Sequence, residues 1–167
     1  MNNIIEFNSV RNTFHRATLQ AVGLTNPLTW QLIGAPKAEY CYKGFVARPH
    51  YVAYNREQET LTVIHMETGR RPTQLNLATE MVARLETVVV AAVMKRKNPS
   101  LRAYTPRVVY DDGGQFDMVS IDAQDWAEYK VFVKNQRKKN GDLDVDIEAA
   151  ITGMPDALLR QTILITG

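Results

Sequence analysis

The sequence predicts an α+β fold: a mostly antiparallel sheet of two hairpin blocks, a long central helix over residues 77–97 packed on it, and a helical C-terminal third. Three observations carry this expectation. Aromatic and β-branched residues gather in runs between 40 and 66 and again between 107 and 121, with Gly, Pro and polar turns between them. An apolar stripe of helical period fills 77–97. Strands and helices come in blocks instead of alternating, which argues against a doubly wound parallel sheet.

The elements follow in order. Ser9 can cap a first helix over 9–22, with Val10, Phe14, Ala17 and Ala21 on one face and Gly23 to end it. Asn26-Pro27 can open a short helical turn carrying Leu28, Trp30 and Ile33, which Ala35-Pro36 breaks. Tyr40 to Arg48, Tyr51 to Tyr54 and Thr60 to Met66 read as strands. Pro49 marks an edge or a break, 55–59 a polar turn, and Gly69 and Pro72 the end of the block.

In 77–97, Ala78, Met81, Val82, Leu85, Val88, Val89, Ala92 and Val93 form a stripe broad enough for the middle of a core or a subunit interface. Asn76 caps its start, Lys95, Arg96 and Lys97 suit the negative end of its dipole, and Pro99 stops it. Arg107 to Asp111 and Gln115 to Ile121 read as a hairpin around Asp112-Gly113-Gly114. Residues 122–139 carry acidic residues at one end, basic residues at the other and Gly141 beyond, which favours a helix. Within them, Glu128 to Val133 has the composition of a strand. Leu143, Ile147, Ala150 and Ile151 give a short helix ending at Gly153, and Pro155 can start a last one. Its tail, Gln161 to Thr166, reads equally as a strand.

Residues 1–167 have the length of one globular domain with a core that needs no staples. The composition, 45% apolar and 23% charged, is that of a folded protein. A net charge of +2 does not by itself imply nucleic acid, which demands a local basic patch. Cys41 stands alone, so an intramolecular disulfide and a cysteine-based zinc site are both excluded. The start, MNNIIEFNS, lacks the basic and apolar regions of a secretory signal. The longest apolar run, Val88 to Met94, falls far short of the ~20 residues of a membrane helix. The expected location is the cytoplasm, or a particle assembled there, with no membrane partner.

Catalytic motifs are sparse. The chain has no GxxxxGK[ST], GxGxxG, GxSxG, HExxH or EF-hand pattern, and Gly113-Gly114 is a turn signal alone. No cofactor or metal ligand set is expected. His15, His50 and His65 are scattered: His15 falls on a polar helix flank and His65 reads as a structural histidine in a strand. Only a meeting of His50 with His65 across the β block would suggest a ligand pair or acid–base role. Cys41 reads as a small buried hydrophobe.

The enzymatic alternative rests on Asp117, Glu128 and Lys130. Two carboxylates on neighbouring strands can hold Mg²⁺, and a lysine two residues on can orient water or steady phosphate charge. In this respect the second half of the chain resembles the restriction-like PD-(D/E)xK nucleases, although no proline precedes Asp117. The resemblance implies an Mg²⁺-dependent nuclease and requires 128–133 to be a strand. On a helix, Glu128 and Lys130 would point about 200° apart.

The binding alternative rests on Tyr40, Tyr42 and Tyr51 interleaved with Lys43, Arg48 and His50, and on two basic clusters, Lys95-Arg96-Lys97 and Arg137-Lys138-Lys139. Alternation along one strand would expose Tyr40, Tyr42 and Arg48 together as a stacking platform for single strands. The structural account of the same residues is half-buried tyrosines and helix-dipole partners. A third alternative is a subunit of a larger assembly, its surplus apolar helix surface covered by a copy of itself or another protein. The favoured reading is a non-catalytic binding or assembly protein, homo-oligomeric, with nucleic acid as ligand through Tyr40, Tyr42, Lys43, Arg48, Tyr51 and both basic clusters.

Overall fold

The β-branched and aromatic runs condense into two sheets that share one long helix. The structure, a computed structural model, describes residues 4–5, 20, 23–24, 26, 28–33, 37–141, 143–155 and 157–159. The helix expected over 9–22 and the tail 161–166 lie outside the described residues, as does His15. The strands are β1 (Ile4–Ile5), β2 (Trp30–Ile33), β3 (Tyr40–Tyr42), β4 (Phe45–Ala47), β5 (Tyr51–Asn55), β6 (Thr60–Glu67), β7 (Ala103–Tyr110), β8 (Gln115–Asp117) and β9 (Val145–Asp146). The helices are α1 (Leu77–Lys97), α2 (Ala123–Asn140) and α3 (Ile147–Thr152). The fold class is α+β.

The larger sheet runs β1-β2-β5-β6-β7-β8 and the smaller β3-β4-β9. Two pairings are parallel, β6 with β7 and β4 with β9; the other five are antiparallel. Helix α1 is the crossover that makes β6 and β7 parallel, because a direct hairpin would reverse the chain. It lies against β6 and β7 of the large sheet and β3 and β4 of the small one. That double cover explains its broad apolar face: Met81, Val82, Leu85, Val88, Val89, Val90 and Met94 are all buried.

Several local expectations are corrected. Residues 30–33 are a strand, not a helical turn, because their backbone groups find a ladder on β5 from Trp30↔Asn55 to Ile33↔Val52. The run 40–48 is no single strand. It folds back at Lys43-Gly44, both at positive φ (47° and 81°), the geometry of a two-residue hairpin turn. The second hairpin starts earlier and ends sooner, with Pro106 inside β7 and its carbonyl accepting the Met118 N–H at 3.1 Å. Residues 128–133 are helical. Asp122 accepts from the backbone of Gln124 and Asp125 while the Asp125 side chain accepts from Asp122, a closed capping box that fixes the start of α2.

Candidate functional site

Phe45, 1% exposed, anchors the small sheet by packing on Phe132 and Tyr129 of α2, with ring centres 5.1 and 5.9 Å away. The turn just before it is therefore fixed against α2. The Tyr129 hydroxyl donates to the Tyr42 carbonyl at 2.9 Å and the two rings stack at 6.3 Å. Burial pushes the Tyr129 phenol far above its usual range, so it stays a neutral donor.

Around this turn three cations converge. The Lys43 ammonium and the Arg96 guanidinium lie 5.4 and 5.3 Å from the centre of the Tyr42 ring. Arg137 donates to the Lys43 carbonyl at 3.2 Å. They meet because α1 and α2 run in the same direction. Arg84 of α1 bonds Asp125 of α2, and twelve residues further along each helix, about 18 Å, Arg96 and Arg137 reach the same turn. One residue of each basic cluster, Arg96 and Arg137, is thereby brought to the same turn.

None of Lys43, Lys95, Arg96, Lys97, Arg137, Lys138 and Lys139 makes an ion pair with a described residue, and all seven are exposed. Two helix C-termini offer about half a negative charge each, too little to balance seven. Among the described residues, Asp144 lines a cleft of about 190 Å³ with Gly44, Gln136 and Arg137.

The other expected contacts are placed elsewhere. Tyr40 and Tyr51 are core residues, the latter 3% exposed, so neither offers a ring to a ligand. Tyr40 lies on the face of β3 that packs against α1 and the main core, with Cys41 on the opposite, exposed face. Arg48 is tied to Glu39 at 2.7 Å and to Asp146, which straps the small sheet together. Cys41 is exposed, not buried.

The nuclease constellation is not assembled. Glu128 is 2% exposed and bonded to Arg84 at 2.8 Å, Lys130 points to solvent from the same helix, and Asp117 pairs with Arg107. Among the described residues no group of three or more His, Cys, Asp or Glu side chains could hold a metal ion. No helix among them is long and apolar enough to cross a membrane.

His50 and His65 do meet, ring centres 5.2 Å apart and edge to face. His65, 3% exposed, lies between two carboxylates: Nε2 is 2.8 Å from Glu67 and Nδ1 is 3.3 Å from Glu86. Burial opposes the charged ring, but the hydrogen bonds and charges of Glu67 and Glu86 outweigh it and lift the pKa to about 9. Glu86 also accepts the Arg48 backbone N–H at 3.0 Å, so one helix carboxylate joins both sheets. The His50 Nδ1 accepts the Met66 N–H at 3.0 Å. Nε2 of His65 is hydrogen-bonded to Glu67, while the enclosed Nδ1 faces Glu86 at ion-pair distance without a well-aligned hydrogen bond, which makes this cluster a structural lock. The sequence signal for it was Glu86, an acid inside the apolar stripe between Val82 and Val89.

No protein-family model matches the chain, and neither a curated protein nor a solved structure does.

Proposed function

We propose that the protein is a non-catalytic nucleic-acid-binding protein whose contact surface is the basic end of the α1–α2 pair. The supporting observation is the gathering of Lys43, Arg96 and Arg137 around Tyr42 with no carboxylate among the described residues paired to any of them. Like charges held this close repel one another, and a phosphate backbone relieves that repulsion while releasing its counterions. Arg48, Tyr40 and Tyr51 leave the list of contacts; Lys95, Lys97, Lys138 and Lys139 extend the surface around the central three.

Fluorescence anisotropy with labelled oligonucleotides tests this. With about three phosphates neutralised, affinity falls about 20–40-fold between about 50 and about 200 mM salt. Lys43→Asn, Arg96→Gln and Arg137→Gln together remove the share of the salt dependence that these three cations carry, a slope of about 2.7. Asn is chosen at 43 because it tolerates positive φ. A flat trace at every salt concentration overturns the reading and leaves protein assembly, through exposed Val119 and Leu143, in its place.

A further inference from the structure

Resting on that reading, we infer that the basic end takes the sugar–phosphate backbone of a duplex, without regard to sequence, in preference to a single strand. Tight binding of a single strand without sequence preference uses aromatic faces on which bases stack. Here the ring nearest the cations is engaged: Tyr42 is stacked on Tyr129 and carries Lys43 and Arg96. The neighbouring tyrosines of the same strands, Tyr40 and Tyr51, are in the core. The site therefore offers cations on a fixed frame and no free ring among these three. Such a site gains in proportion to phosphate density, which in a duplex is one charge per about 1.7 Å of axis.

The spacing agrees. Lys43 and Arg96 both lie within 5.4 Å of one ring centre, so their charges are at most twice that distance apart. That bound admits two phosphates of one backbone, or phosphates facing each other across the narrower groove, about 6 Å wide. The backbone of the turn is tied to α2, because the Tyr42 carbonyl accepts from the Tyr129 hydroxyl and the Lys43 carbonyl from the Arg137 guanidinium. A flexible single strand must be ordered to present its phosphates in this pattern, whereas a duplex presents them already placed.

The test compares two unrelated duplexes with their separated strands at one salt concentration, then repeats the series with the Lys43→Asn, Arg96→Gln, Arg137→Gln variant. The expected result is equal affinity for both duplexes, each bound at least about tenfold more tightly than any single strand. The log–log salt slope for duplex should be shallower by about 2.7 in the variant. Single strands bound as tightly as duplex, or either ligand bound with a base preference, overturn this inference while the binding reading stands. No binding of any oligonucleotide overturns both. A urea midpoint for the variant equal to that of the unsubstituted protein establishes that lost affinity is not lost folding. If the midpoint falls, Arg96→Gln alone is used, with an expected slope change of about 0.9.

Discussion

At the amino-terminal end of the α1–α2 pair, Arg84 is 21% exposed and bonded to both Asp125 and Glu128. At the carboxy-terminal end, Arg96 and Arg137 are exposed and have a tyrosine ring and a backbone carbonyl as partners, with no acid among the described residues. The same residue type serves two purposes on the same two helices. An arginine between buried carboxylates holds the helices together, because removing it strands negative charge away from water. Exposed arginines crowded by other cations contribute little to folding, and in the proposed reading their partner is an external anion. The difference lies in the partner, and partners are set by tertiary structure.

The most severe way to break the first end is Arg84→Ala. It leaves Asp125 and Glu128 buried without their cation, and the expected loss is about 3–5 kcal/mol in a urea titration. A loss under about 1 kcal/mol would show that the pair is held by packing alone.

The His65 lock gives the next largest effect. Its folded pKa of about 9 lies above the unfolded value near 6.5, so its contribution is complete below about 6.5 and lost as pH rises through about 9. The melting temperature should fall by roughly 5–10 °C across that window. His65→Gln should flatten the profile, and an equal fall in the variant would rule the ring out as its source.

A smaller effect sharpens the contrast from the other side. The Lys43→Asn, Arg96→Gln, Arg137→Gln variant should change stability by no more than about 0.5 kcal/mol, because exposed charges without a paired carboxylate stabilise little. Smallest of all, Cys41 should react fully with a thiol reagent in the native protein, since it is exposed on β3. A thiol that reacts only after denaturation would contradict its placement.

The two helices at the heart of this contrast were legible because both ends of each are punctuated: Asn76 and Pro99 around α1, Asp122 and Gly141 around α2. The basic clusters were equally legible, but not the meeting of Arg96 and Arg137 at one turn, which depends on α1 and α2 running in the same direction. The tyrosine platform is covered because alternation gives two faces of β3 but not which of them α1 buries. The fold-back at 43–44 is likewise weakly marked, since Lys-Gly is a weaker hairpin signal than Asn-Gly. Residues 30–33 form too short a run for periodicity to overrule the helix-opening Asn26-Pro27 signal, and their strand is made by the ladder on β5. The contact of His50 with His65 follows from the β5–β6 register, in which Tyr51 faces Ile64. No local pattern encodes that register.

The central claim is that the basic end is kept for a ligand and the acidic-paired end for the fold. Urea unfolding with and without saturating duplex, on the unsubstituted protein and the triple variant, tests it directly. The account predicts equal midpoints without duplex and a larger duplex-induced rise in the unsubstituted protein. A variant that loses stability on its own, or that duplex stabilises as strongly, would contradict it.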